Sequence, residues 1–87
     1  MTFLHYDLKA DPSKIIQITT DNEAMVKLMD TVNYSKYRMG KPHDFLGGLY
    51  PASTIEFRVP TEDKWHIIID LGGRKGEVKA VVKLVNC

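Results

Sequence analysis

Short segments in which apolar and polar residues alternate are the feature that most limits how this chain can fold. In 54–59, Ile55, Phe57 and Val59 alternate with polar residues, and this period of two is typical of an antiparallel strand with one buried face. Five further segments have strand character: 3–8, 14–20, 25–30, 65–71 and about 77–85. No long helix separates them, so the crossover helices that parallel strands require are absent. The sequence therefore predicts one all-β domain over 1–87, a small antiparallel β-sandwich, jelly-roll-like, of about six strands.

The connections between the later segments predict how they pair. Pro60 ends its strand because proline has no N–H to donate to the next ladder position. The following residues, 61–64, are interpreted as a hairpin turn, and the Gly72-Gly73 pair as the start of a second one. We therefore expect the second half of the chain to form a three-stranded meander, with Trp65 in its core.

The segment 31–50 breaks this pattern. Asp30 is a good N-cap and Gly40 a good C-terminal stop, so we expect a helix of about two turns between them. From there to Pro51 neither period holds, and the segment is predicted to be a long irregular loop. Long loops on a rigid sandwich are common places for binding sites.

The composition of 31–50 indicates an anionic ligand. The segment holds four of the chain's eight aromatic residues, and 31–43 contains three basic residues and no acidic one. Aromatic rings beside basic groups suit a planar or phosphate-bearing anion, through stacking and charge-assisted hydrogen bonds. The predicted ligand-binding residues are Asn33, Tyr34, Tyr37, Arg38, Lys41, His43, Gly47, Gly48 and Tyr50. The alternative is that the tyrosines only cap the open end of a small core, with the basic groups solvated and the glycines in a turn.

Net charge limits the classes of partner. The chain carries 12 Lys and Arg and 11 Asp and Glu, a formal net charge of +1. A dedicated nucleic-acid binder is usually strongly basic, so nucleic acid is not an expected partner. A small anion is still compatible with this balance, because the basic residues of 31–43 are a local excess.

The three histidines do not form a metal motif along the sequence. No two of them have metal-ligand spacing, and no nucleophile motif is present, so we predict no catalytic residue, metal or cofactor. His5 shares a strand face with Asp7, and His66 shares one with Asp70. Each pair could brace a surface metal ion or a proton transfer if the strands adjoin; scattered surface residues are the alternative.

Other features concern location and assembly. No apolar run reaches the roughly 18 residues of a membrane span, and the N-terminus does not resemble a signal peptide. Its single cysteine, Cys87, cannot form a disulfide within the chain. Together these features predict a cytoplasmic protein. A chain this small buries a limited fraction of its surface, so homo-oligomeric assembly is an alternative function. Ile68, Val81 and Val85 would then form a sheet-to-sheet contact, unless a second layer of the same subunit covers them.

Three stretches carry a family resemblance: HYDL at 5–8, VKLMDTVNYSKYRMGKPHDFLGGLY at 26–50, and WHIIIDLGG at 65–73. They resemble a small bacterial family of unknown function, a single all-β domain found alone or fused to TIR domains. The resemblance implies a sandwich fold and a role in bacterial or phage defence, with no established catalytic residues. Together with the residues above, it predicts a non-catalytic binding module for a small anionic or nucleotide-like ligand, with a protein partner or self-association as the alternative.

Overall fold

Seven strands and one helix make up the part of the chain that the computed structural model describes, residues 3–72 and 76–86. In chain order they are β1 (Leu4–Ala10), β2 (Lys14–Thr20), β3 (Ala24–Met29), α1 (Thr31–Arg38), β4 (Leu46–Tyr50), β5 (Thr54–Arg58), β6 (Asp63–Asp70) and β7 (Ala80–Asn86). A four-stranded sheet has the order β1-β6-β3-β4, and a three-stranded sheet has the order β5-β2-β7. All pairs are antiparallel, so the prediction of a small all-β sandwich is confirmed.

The core lies between the two sheets and follows the alternation in the sequence. Every second residue of β2, β3 and β6 points into it, and the most deeply buried are Ile16, Ile18, Val26, Leu28, Ile67 and Ile69. Trp65 joins this cluster, as predicted. Its indole N–H donates to the carbonyl oxygen of Thr61 at 2.9 Å, which satisfies the one polar atom of the ring.

The predicted meander is wrong. β5 pairs with β2, whereas β6 lies between β1 and β3 in the other sheet. Residues 59–62 therefore carry the chain from one sheet to the other, and 63–64 belong to β6 instead of to a hairpin turn. β6 and β7 also lie in different sheets; Gly73, in the connection between them, falls outside the described residues. Local alternation marks a strand but does not specify a distant partner, which explains the error.

The region that was predicted to be a loop up to Pro51 contains β4, an edge strand paired with β3. Gly47 has a φ of 124°, and a Cβ at this position would lie 2.0 Å from the carbonyl oxygen of Val26. Only glycine allows this close approach. The two glycines remove the alternation that would have identified the strand.

The helix covers the outer side of the four-stranded sheet, packing on β6 and β3. It begins as predicted: the Asp30 carboxylate accepts the Asn33 N–H at 2.8 Å. Ile68 was expected to face outward and to be available for assembly, but it is 0% exposed, so the alternative of cover by the same subunit is correct. No helix in the described ranges is long and apolar enough to cross a membrane.

Candidate functional site

The side of the four-stranded sheet that carries α1, called the outer face below, gathers the histidines. β1 and β6 adjoin in a register that sets Asp7 opposite His66, with His5 two residues away on the same side. The sequence could support a site for these histidines only if the two strands adjoin, and they do. Asp70 does not join them; its carboxylate accepts the Gly72 N–H at 2.7 Å.

Two imidazoles and a phenol ring form a stack on this face. His5 Nε2 lies 3.1 Å from His66 Nδ1. The Tyr34 ring is nearly parallel to the His66 ring, with centroids 4.0 Å apart, and it also stacks on His5 at 4.7 Å. Tyr34 Oη is 3.4 Å from His5 Nδ1. Tyr34, a residue of α1, thus packs its ring against both imidazoles.

Burial determines the protonation state of His66. Its side chain is 6% exposed, and its Nε2 has no hydrogen-bond partner among the described residues. Burial first, and then the neighbouring His5 charge, lowers the pKa of His66 below the ordinary 6.5. The imidazole is therefore neutral near pH 7.

A second group of rings lies beside the stack. The Tyr37 ring meets the His43 ring edge-on at 5.2 Å, and His43 is 5.9 Å from Phe45. The Lys27 ammonium lies 5.5 Å from the Tyr37 centroid and 5.1 Å from the Phe45 centroid, which is cation–π distance. Burial, followed by the charge of Asp70, raises the pKa of Tyr37 above 10, so its phenol stays protonated.

Asn33 holds the segment after the helix against α1. Its side-chain amide donates to Asp30 Oδ1 at 3.0 Å, and its amide oxygen accepts the Asp44 N–H at 2.9 Å. His43 Nδ1 in turn donates to the Lys41 carbonyl oxygen at 3.0 Å. These bonds fix the segment in which His43 lies.

A shallow depression continues from this face past the start of α1. It has a volume of about 180 Å³, and its walls include Phe45, Asn33 and Trp65. Asp30 and Asp44 also line it. Because those two carboxylates repel anions, an anionic group would bind on the Lys27 side of Phe45.

A family model described as a domain of unknown function, DUF1883, matches residues 1–87. The chain belongs to this family. Neither a curated protein nor a solved structure matches it. The description of the DUF1883 family names no activity, so functional inference rests on the residues of the outer face.

The DUF1883 domain brings only part of the predicted ligand-binding set together. Tyr34, Tyr37 and His43 meet on the outer face. Arg38 and Lys41 are exposed at the C-terminal end of α1 and just beyond it, and Asn33 is engaged in the bonds above.

The remaining predicted residues lie on or beside β4. Gly47 and Gly48 are ladder residues of that strand. Tyr50 points to the opposite side of the sheet, where its ring packs edge-on against Phe57 at 6.4 Å.

Sequence reasoning did not assign a binding role to Lys27 or Phe45, and it considered His5 and His66 only in separate pairs with Asp7 and Asp70. Phe45 was within reach, because it belongs to the aromatic-rich segment. Lys27 and the two histidines arrive through strand pairing, with β3 and β1 on either side of β6. No spacing along the chain signals that arrangement.

Proposed function

We propose that this DUF1883 domain is a non-catalytic binding module that takes a small anionic, nucleotide-like ligand on its outer face. The observation that supports this most is the Lys27 ammonium over the Tyr37 and Phe45 rings. A planar base would stack on such rings, and the ammonium would bond a phosphate. Because three separate segments supply these groups, their meeting on one face is a product of the fold.

Basic side chains at the end of α1 extend the positive region. Lys36 and Arg38 occupy the last turn, and Lys41 follows it. All three are exposed, and none forms an ion pair within 3–72 and 76–86. They would raise the local concentration of a phosphate-bearing ligand without fixing its orientation.

A thermal-shift titration with a panel of nucleotides and pyrophosphate tests the proposal. A ligand that binds only the folded domain raises its stability by about 2.7 kcal/mol at a hundred times its Kd, which is readily measured. Lys27→Met keeps the alkyl stem but removes the charge, so it should abolish the shift. Lys83→Met is the matched control, because Lys83 is exposed on the other sheet. No shift with any compound at millimolar concentration, or a shift that survives Lys27→Met, would contradict the proposal.

Self-association is a second candidate, favoured by the free edge of β4. Leu46 and Leu49 are 45% and 57% exposed there, and the strand contains no charged residue. Uncharged edge strands readily pair with another copy of the same strand. The sheet-to-sheet contact expected earlier around Val81 involves the opposite side of the molecule, where Val81 is 54% exposed.

Light scattering at several concentrations separates these surfaces. If β4 is the interface, Leu49→Lys yields monomers whereas Val81→Lys leaves the dimer intact. The reverse pattern would assign assembly to the three-stranded sheet. A wild-type protein that stays monomeric at all concentrations contradicts the self-association candidate.

The family resemblance supports a proposal about context. We propose that the module acts in the bacterial cytoplasm, in defence against phage, and that fused TIR domains respond to what it binds. Phage protection by a natural TIR fusion, with and without the change that corresponds to Lys27→Met, tests this. Unchanged protection would contradict it.

A further inference from the structure

We infer that His5, Asp7 and His66 form a site for a divalent transition-metal ion, with Zn²⁺ as the best match. The three residues come from two paired strands, so the backbone ladder fixes their relative positions. One ligand atom from each lies within 4.8 Å of the other two. Two imidazoles and one carboxylate are a common donor set for Zn²⁺ and related ions. This inference goes beyond the proposed function, because the ion needs neither Lys27 nor the nucleotide-like ligand.

The spacing of the two nitrogens fits an ion between them. With Zn–N bonds of about 2.0–2.1 Å and tetrahedral angles, two ligand nitrogens lie about 3.3 Å apart. His5 Nε2 and His66 Nδ1 are 3.1 Å apart. At least one of these nitrogens must present a lone pair at that distance. Binding therefore requires the proton shared between the two nitrogens to move to the other nitrogen of its own ring, together with a small adjustment of the rings.

Asp7 can complete the set. Among the residues that the structure describes, its carboxylate forms one ion pair, with Lys64 at 3.7 Å, and both side chains are about half exposed. Such a pair contributes little to stability, so exchanging the ammonium for a divalent ion costs little. The carboxylate needs only a side-chain rotation, because its Cα is already opposite that of His66.

Tyr34 is a positioning residue for this site. Its ring stacks on both imidazoles, and its hydroxyl is 3.4 Å from His5 Nδ1. When His5 Nε2 binds a metal, Nδ1 carries the proton and the phenol oxygen can accept it. Second partners of this kind fix the orientation of a ligating histidine. Three protein ligands leave a fourth tetrahedral position, which opens to solvent beside exposed His5 and Asp7.

Calorimetric titration of the tag-free, chelator-treated domain with Zn²⁺ tests the inference. We expect one ion per chain with a Kd below about 10 µM. His5→Gln and Asp7→Asn should weaken binding by about tenfold or more; both positions are exposed, so these variants should fold. His43→Gln is the matched control, a histidine of the same face outside the cluster, and should bind as the wild type does. Absence of one-to-one binding, or equal loss in His43→Gln, would overturn the inference.

Two further measurements keep this result separate from the proposed function. Co²⁺ should give the visible absorption of a four-coordinate site. Tyr34→Phe keeps the stacked ring but removes the acceptor for the His5 Nδ1 proton, so it should alter that spectrum modestly, whereas Tyr34→Leu, which also removes the stack, should alter it more. Lys27→Met should bind Zn²⁺ normally even where it has lost the nucleotide-dependent thermal shift. A spectrum that Asp7→Asn leaves unchanged would remove the carboxylate from the site and contradict the assignment.

Discussion

Replacement of Gly47 by alanine should destabilise the domain strongly, whereas the same change at Gly48 should not. The two glycines are neighbours in β4, yet their surroundings differ. A Cβ on Gly47 would lie 2.0 Å from the Val26 carbonyl oxygen, whereas one on Gly48 would have nothing within 4 Å. Gly47 also has a φ of 124°, and Gly48 is not among the residues with positive φ.

The size of the effect follows from this geometry. Real Cβ contacts essentially never fall below 3.0 Å, so the alanine methyl and the carbonyl must separate by at least 1.0 Å. That movement strains the β3–β4 ladder, where each hydrogen bond contributes about 1 kcal/mol. The unfavourable φ adds about 1–2 kcal/mol. We therefore expect Gly47→Ala to cost about 2–4 kcal/mol in the free energy of unfolding. Gly48→Ala should be neutral or stabilising by up to about 1 kcal/mol.

Thermal and urea denaturation followed by circular dichroism would measure the difference. In a domain of this size each kcal/mol shifts the Tm by about 4–8 °C, so Gly47→Ala should lower it by about 8 °C or more. Equal Tm values for the two variants would refute the assignment of Gly47 to a structural role. A ligand-dependent defect in a stable Gly47→Ala variant would return this glycine to the candidate binding residues.

Three further variants test particular contacts. Asp30→Ala removes the cap on the Asn33 N–H and should cost about 1–2 kcal/mol in chemical denaturation; an unchanged midpoint would show that α1 does not need its cap. Trp65→Phe loses the bond to the Thr61 carbonyl and part of the ring that packs in the core, and should cost about 1–3 kcal/mol by the same method. In an ultraviolet titration one tyrosine should ionise above pH 10, because burial raises the pKa of Tyr37. Since the unfolded chain releases this proton first, stability should fall as pH rises above 10, and Tyr37→Phe should remove both effects.

The sequence predicts those parts of the fold that depend on local patterns. Alternation identifies the strands with one buried face, such as β5, and the Asp30 cap identifies the start of α1. The neighbours of β6 are harder to predict. His66 to Ile69 are all buried, and a continuously buried strand does not reveal which strands flank it. The wrong meander and the missed edge strand β4 follow from this limit and from the glycines of 47–48.

The candidate site likewise contains some residues that the sequence identifies and others that it does not. Composition was enough to single out Tyr34, Tyr37 and His43, because they lie together in one aromatic and basic segment. Lys27 joins them because α1 packs on β3 and β4 pairs with it, and His5 meets His66 only because β1 pairs with β6. The contact between His5 and His66, 61 positions apart, depends on strand register, which no local spacing encodes.

Mapping a bound ligand by NMR would show directly whether the outer face is the binding surface. The ¹⁵N-labelled domain would be titrated with a nucleoside diphosphate. Saturable shift changes should concentrate on the outer face, at Lys27, Tyr37 and Phe45, and Lys27→Met should abolish them. Changes confined to the three-stranded sheet, or none at millimolar concentration, would contradict the claim that the outer face is the functional surface.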